Sequence, residues 1–201
     1  MILPNQLTVL RIILTPIFII FFISEEPYFR EISLAIFLIA ALTDWYDGWL
    51  ARKFNYITEW GKFWDPLADK ILTSAAFLGF VYLGVLNPVF VSLIVFRDIG
   101  ITLLRGIADK QRKSIITSRY AKIKTFIQMA FLYYLIIVYV LSHNSSIGGA
   151  NPGLFSVLLD EKVVFYSMLA VTILTVHSGI VYITTNKRTI SEIFAELRKQ
   201  L

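Results

Sequence analysis

The sequence has no cysteine and little charge. Without cysteine there is no disulfide framework and no thiol chemistry. Charged residues make up 16% of the 201 positions, whereas soluble domains have about 25%. Glycine-rich dinucleotide fingerprints, P-loops and nucleophile elbows are also absent. The two histidines, His143 and His177, have no Cys or His neighbour at metal-ligand spacing, and we expect both to be packing or interfacial residues.

Apolar residues dominate instead. They make up 57% of the chain, and its mean hydropathy of +0.69 predicts a membrane protein with one domain over residues 1–201. The apolar runs predict an all-α integral membrane fold with six transmembrane helices, at about 7–23, 32–52, 67–83, 88–104, 125–141 and 163–184. We expect no cleavable signal, because no basic stretch precedes the first run and no small-residue cleavage site follows it.

Turn and breaker residues divide these segments. A Gly, Asn and Pro cluster at 84–88 predicts the turn between the third and fourth helices. Pro66 leaves two interpretations open. Either Asp65 caps a helix that starts at Pro66, or Pro66 kinks a longer helix that begins near Trp60.

The chain is predicted to end in an amphipathic segment. Thr189-x-x-Glu192 has the form of a capping box and predicts the start of a last helix. Its apolar residues share one face, which favours a helix at the membrane interface or one packed on the protein. The preceding stretch at 142–162 is rich in Ser, Gly and Asn and is predicted to be an outer loop.

Four carboxylates interrupt the apolar pattern. They belong to eight positions at fixed spacing, Asp44-x-x-Asp47-Gly48-x-x-Ala51-Arg52, eight residues, and then Gly61-x-x-x-Asp65-x-x-x-Asp69. Residues three or four apart share a helix face, so these positions form one stripe on each of two helices. A charge at mid-membrane costs about 2.5–3.5 kcal/mol, which water or cations must offset. Such clustered carboxylates suit Mg²⁺, Mn²⁺ or Ca²⁺. Two helices that each present two acids could together hold two ions.

At all eight positions this pattern resembles the signature of the CDP-alcohol phosphatidyltransferases. The resemblance implies a homodimeric membrane enzyme with six transmembrane helices, which displaces CMP from a CDP-linked lipid with an alcohol. It implies that Asp44, Asp47 and Asp65 bind two divalent ions, Mg²⁺ or Mn²⁺. Asp69 would share one ion and act as the catalytic base. The resemblance also assigns the nucleotide of CDP-diacylglycerol to Asp44, Gly48, Ala51, Arg52 and Gly61. From the residues alone, a polar patch in a transporter or channel is the alternative.

The opening of the chain is more polar than a membrane entry requires. Asn5, Thr8 and Arg11 are three residues apart and share a helix face. One interpretation is a helix cap followed by an arginine that reaches the interface. The other places these groups at the nucleotide. The segment Pro-Asn-x-Leu-Thr-x-x-Arg is similar to the opening of the phosphatidylglycerophosphate synthases within the family, which favours the second interpretation.

Basic residues concentrate at 105–124, which is predicted to be a loop. A cytoplasmic loop that binds anionic headgroups explains part of this charge. The run Lys122-x-Lys124-Thr125-x-x-Gln128 again resembles the phosphatidylglycerophosphate synthases. Because these cations suit phosphate oxygens, we expect an acceptor phosphate to be bound by Arg97, Arg105, Arg119, Lys122 and Lys124.

These features favour glycerol 3-phosphate as the acceptor and CDP-diacylglycerol as the donor. The alternatives are a phosphatidylinositol phosphate synthase or another member of the family, and, outside enzymes, a transporter or channel. Membrane lipid is the expected partner, and no nucleic acid is expected.

The basic residues also predict orientation. Of the 19 Lys and Arg residues, only Arg30 and Lys162 lie in predicted outer loops. Positive loops stay in the cytoplasm. We therefore expect both termini and the acidic cluster to face the cytoplasm, in a protein of the inner cell membrane that crosses it several times.

A C-terminal fusion tests this orientation. A reporter that works only in the cytoplasm should be active there, and one that works only outside the cytoplasm should be inactive. The opposite pair of results would contradict the predicted orientation.

Overall fold

The computed structural model describes residues 3–54, 59–113, 115–116 and 119–200. Within these ranges, the side chains outside the description are those of 3–5, 44, 45, 47, 48, 50–52, 54, 59, 60, 62, 199 and 200. The described chain consists of helices and turns. The helices are α1 (Leu3–Phe22), α2 (Pro27–Phe54), α3 (Glu59–Tyr82), α4 (Pro88–Lys110), α5 (Arg119–His143), α6 (Ile147–Ala150), α7 (Pro152–Leu158), α8 (Glu161–Thr185) and α9 (Lys187–Gln200).

The predicted all-α class is confirmed, and each predicted apolar segment coincides with a helix. Two described stretches, Arg119–His143 and Pro152–Thr185, are long and apolar enough to cross a membrane, and Gln6–Phe22 is a shorter apolar helix. The predicted turn at 84–88 is also confirmed. Gly84 has a φ of +73°, which favours glycine, and the Asn87 side chain accepts a hydrogen bond from the Val89 N–H at 2.9 Å to cap α4.

Two loop predictions are wrong. The stretch at 105–124 is mostly helix, because α4 continues to Lys110 and α5 begins at Arg119. Lys and Arg are good helix formers, so a run of basic residues does not by itself break a helix. The outer stretch at 142–162 contains α6 and α7. Asn144 accepts from the Ile147 N–H at 2.8 Å ahead of α6, and Pro152 starts α7, where its missing N–H costs nothing.

The helix starts predicted from local signals also change. Pro66 lies inside α3, so Asp65 is a helix-interior residue and not a cap. The capping box is wrong as well, because α9 begins at Lys187 and Thr189 is inside it. Asn186 accepts from the Ile116 N–H at 3.0 Å and donates to the Ile116 carbonyl at 3.2 Å. These bonds tie the α8–α9 junction to the α4–α5 connection.

An aromatic core holds one end of the bundle together. The Phe22 ring of α1 lies 5.0 Å from that of Phe80 and 5.9 Å from that of Tyr139, and Phe18 lies 5.2 Å from Phe37. These residues join α1, α2, α3 and α5 near the last turns of α1, α3 and α5. Successive long helices along the chain run in opposite directions, so the opposite end gathers the first turns of α1, α3 and α5 with the last turns of α2, α4 and α8.

Packing at the aromatic end can be tested at one glycine. A Cβ at Gly79 would lie 2.8 Å from a ring carbon of Phe22, which is fully buried. Gly79→Ala should therefore lower the free energy of unfolding in detergent by about 1–3 kcal/mol, as overpacking typically does. Gly100→Ala is the matched control, because nothing lies within 4 Å of its Cβ. Equal melting temperatures for the two variants would contradict this packing.

Candidate active site

The acidic motif lies at the end of the bundle opposite the aromatic core. Gly61 is buried in α3, and Asp65 and Asp69 follow on the same helix, one turn apart and partly exposed. The other motif residues lie in the last turns of α2, and their side chains are outside the described part: Asp44, Asp47, Gly48, Ala51 and Arg52.

The polar opening of α1 lies against this stripe. The Thr8 hydroxyl donates a hydrogen bond to the Asp65 carboxylate. The positive charge of Arg11 attracts the negative charge of the same carboxylate. Thr8 and Arg11 are both fully buried. Asn5 lies in the first turn of α1, with its side chain outside the described set. The structure thus brings Thr8 and Arg11 to the acidic site, while their contact with a nucleotide stays a prediction.

A cavity of about 530 Å³ opens between α3, α4, α5 and α8. Its lining includes four cationic side chains and one carboxylate. The lining residues are Lys70, Arg97, Asp98, Ile101, Thr102, Arg105, Ala121, Lys122, Thr125 and Tyr182. Three of the five basic residues predicted to bind the acceptor phosphate therefore line one cavity.

The other two predicted phosphate ligands lie elsewhere. Arg119 is exposed at the start of α5 and is not among the lining residues. Lys124 is 2% exposed, and its Nζ lies 2.6 Å from Oδ1 of Asp98. Lys124 is therefore held behind the cavity wall by a carboxylate, whereas the sequence placed it with the phosphate ligands.

Lys70 joins the acidic stripe to the cavity. Its Nζ lies 3.0 Å from Oδ2 of Asp69, and the same side chain lines the cavity. The Asp69 side chain is 29% exposed and that of Lys70 is 15% exposed. A ligand in the cavity would therefore lie next to the carboxylate predicted to be the base.

The carboxylates fit divalent metal ions by the chemistry of their oxygen atoms. Asp65 and Asp69 are hard oxygen donors on one helix face, which suits Mg²⁺ or Mn²⁺. Among the described side chains, no three His, Asp or Glu residues form a metal-binding group. The side chains of Asp44 and Asp47 are outside the described part, which therefore contains two of the four predicted ligands, Asp65 and Asp69.

Several residues at this site were missed by sequence reasoning. Lys70 directly follows a motif aspartate, and Tyr182 lies in the apolar run of α8. Ser178 is four residues before Tyr182, hence on the same helix face. The sequence did contain a signal for these residues. Polar residues four positions apart in an apolar segment are costly in lipid, so they indicate a functional site.

Comparison with known proteins identifies the family. The chain matches the CDP-alcohol phosphatidyltransferase family over residues 1–181, and it belongs to that enzyme family. This answers the choice between an enzyme and a transporter or channel.

Individual relatives are similar over much of their length. One is the CDP-diacylglycerol–glycerol-3-phosphate 3-phosphatidyltransferase of Rickettsia typhi, 31% identical over 88% of this chain and 93% of the relative. The protein of that name in Bacillus subtilis is 36% identical over 67% of this chain and 76% of the relative. A probable phosphatidylglycerophosphate synthase of Mycobacterium tuberculosis is 40% identical over 63% of this chain and 61% of the relative.

The positive character of the cavity can be measured without substrate. The chain has no cysteine, so Thr102→Cys introduces a single thiol on the cavity wall. That thiol should react faster with a negatively charged methanethiosulfonate than with a positively charged one, because the four cations attract anions. The rate ratio should exceed that of Ser191→Cys, on the exposed surface of α9, by at least about tenfold. Equal ratios at the two positions would contradict a cationic cavity.

Proposed function

We propose that this protein transfers the phosphatidyl group of CDP-diacylglycerol to glycerol 3-phosphate, which yields phosphatidylglycerophosphate and CMP. The observation that carries this proposal is the cavity with four cationic side chains beside Asp69. The names of the Rickettsia typhi and Bacillus subtilis relatives describe the same reaction, which supports it.

The cavity meets the main requirement of a phosphorylated acceptor. A phosphate dianion that leaves water needs cations and hydrogen-bond donors in return. Arg97, Arg105 and Lys122 supply them from α4 and α5, and Lys70 supplies a further cation from α3. Held there, the acceptor would have its hydroxyl end near Asp69.

Asp69 then acts as the general base. It takes the proton from the acceptor hydroxyl, and the acceptor oxygen forms a bond to the phosphorus that carries the diacylglycerol. The bond from that phosphorus to the oxygen shared with CMP breaks, and CMP leaves. Lys70, 3.0 Å from the Asp69 carboxylate, orients the base. No covalent enzyme intermediate is needed.

The four motif aspartates, Asp44, Asp47, Asp65 and Asp69, would hold two divalent ions, Mg²⁺ or Mn²⁺. When bound, such ions neutralise the diphosphate and make CMP a better leaving group. Thr8 orients Asp65 through its hydrogen bond. The nucleotide end of the donor would lie along the polar opening of α1 and the acidic motif, at Asn5, Thr8, Arg11, Asp44, Gly48, Ala51, Arg52 and Gly61.

The proposed membrane arrangement follows from the charge distribution. Helices α1 to α5 and α8 span the inner membrane as one domain, and α9 lies on the cytoplasmic side. The termini and the active site face the cytoplasm, where glycerol 3-phosphate is soluble and the donor headgroup is at the surface. We further propose that the enzyme is a homodimer.

Release of CMP tests the proposed reaction. Purified protein with CDP-diacylglycerol and Mg²⁺ or Mn²⁺ should release CMP with glycerol 3-phosphate much faster than with serine, glycerol or inositol phosphate. Preference for inositol phosphate would assign another acceptor to the same site. Absence of CMP with every acceptor would overturn the proposed activity.

Metal binding tests the aspartates independently of activity. Asp44→Asn and Asp65→Asn should each weaken Mn²⁺ binding, measured by electron paramagnetic resonance, by at least about tenfold, because each removes a charged oxygen ligand. Asp109→Asn, on the exposed surface of α4, should leave the affinity unchanged. Wild-type affinity in both motif variants would contradict the assigned metal site.

Kinetics of cavity variants test the acceptor pocket. Arg105→Ala and Lys122→Ala should raise the KM for glycerol 3-phosphate at least about tenfold, because hydrogen bonds to charged groups contribute roughly 1.5–3 kcal/mol each. The KM for CDP-diacylglycerol should change much less. Lys110→Ala is the control, since Lys110 is exposed at the end of α4 and outside the cavity lining. If all three variants change the KM for glycerol 3-phosphate equally, the basic residues contribute only a general positive charge at the membrane surface, and the acceptor pocket is wrong.

A further inference from the structure

Asp98 is a buried acid that accepts hydrogen bonds from three side chains. This α4 residue is 4% exposed. Its Oδ1 accepts from Nζ of Lys124 at 2.6 Å and from Nη1 of Arg97 at 2.9 Å. Its Oδ2 accepts from the amide Nε2 of Gln128 at 2.9 Å. Both oxygens therefore have donors, as a buried carboxylate requires.

These contacts fix Arg97 on the cavity wall. One terminal nitrogen of its guanidinium donates to Asp98, and the other donates to the Ser178 hydroxyl of α8 at 2.7 Å. The stem passes Gly179, where a Cβ would come within 3.2 Å of Cγ of Arg97. A free arginine samples many rotamers. Here the acceptors Asp98 on α4 and Ser178 on α8, together with the close backbone of Gly179, restrict Arg97 to one rotamer.

The charge balance of the group is also informative. Two cations are bonded to one carboxylate, so Asp98, Arg97 and Lys124 together carry one formal positive charge. Lys124 is buried and outside the cavity lining, whereas Arg97 is in it. Lys124 and Gln128 thus complete the hydrogen bonding of the carboxylate, and of the two cations bonded to Asp98 only Arg97 lines the cavity.

We propose that Asp98 is a positioning residue of the acceptor site. It holds the Arg97 guanidinium, together with Ser178, in the orientation that binds the acceptor phosphate. Lys124 serves as the counter-ion of Asp98 and does not contact the phosphate. This inference rests on the proposed function of the cavity. It predicts that Asp98 affects acceptor binding only through Arg97.

A double-mutant comparison separates positioning from a general structural role. Asp98→Asn keeps the size of the side chain and removes its charge. It should raise the KM for glycerol 3-phosphate by about tenfold, the loss expected for a charge-assisted contact, with the KM for CDP-diacylglycerol changed less than about twofold. In an Arg97→Met background, the same Asp98→Asn change should alter the KM for glycerol 3-phosphate less than about twofold.

Ser178→Ala provides a milder variant that acts on the same guanidinium. It should raise the KM for glycerol 3-phosphate by about threefold, less than Asp98→Asn does, because the Asp98 carboxylate still holds the guanidinium, and it should have no effect in the Arg97→Met background. Thr172→Val is the matched control, since Thr172 is a buried α8 residue whose hydroxyl donates to the Met168 carbonyl of its own helix at 2.8 Å. If Asp98→Asn does not fold, the Ser178 comparison decides.

The outcomes distinguish the two proposals. If the wild-type protein releases CMP with glycerol 3-phosphate but the Asp98 or Ser178 effects are equal in both backgrounds, the positioning role is wrong and the proposed function stands. Equal increases in the KM values of both substrates would also overturn it. If the wild-type protein shows no activity with glycerol 3-phosphate, the proposed function fails, and the positioning role fails with it.

Discussion

A charged side chain inside an apolar helix bundle is stable only when it is paired, hydrogen-bonded or in contact with water. This constraint governs the described structure. Asp98 has donors on both oxygens, and Asp69 has an ammonium group 3.0 Å away. The pairing is possible because successive long helices reverse direction, which brings the polar turns of several helices to one end, while aromatic rings fill the other. Removal of one partner leaves an unpaired buried charge, which lowers stability far more than the loss of a surface contact.

The same arrangement relates the two halves of the proposed reaction. The aspartates of α3 face the opening of α1 on one side, through the bond from Thr8 to Asp65. On the other side, Lys70 connects Asp69 to the cationic cavity. A donor diphosphate and an acceptor phosphate are both anions that repel each other in an apolar setting. In the proposed reaction, Arg11 on one side of the carboxylates and the cations of the cavity on the other would offset these negative charges.

Much of the site could be predicted from local spacing, and the rest depends on contacts between distant helices. The interval between Asp65 and Asp69 places them on one face of a helix, and the structure agrees. Lys122 and Lys124 look alike in the sequence, yet one lines the cavity and the other is buried on Asp98. The sequence does not reveal this difference, because Asp98, the partner of Lys124, lies 26 residues away on another helix. The charge of the stretch at 105–124 predicts a loop, but Lys and Arg are also good helix formers, and α4 and α5 occupy most of this stretch.

An experimental structure with glycerol 3-phosphate would show whether the cavity binds the acceptor phosphate. We expect phosphate density inside the cavity, within about 3 Å of the side chains of Arg105 and Lys122, with the hydroxyl end of the molecule towards Asp69. Density for the phosphate outside this cavity, or a cavity filled by a lipid chain while glycerol 3-phosphate binds elsewhere, would contradict the proposed acceptor site.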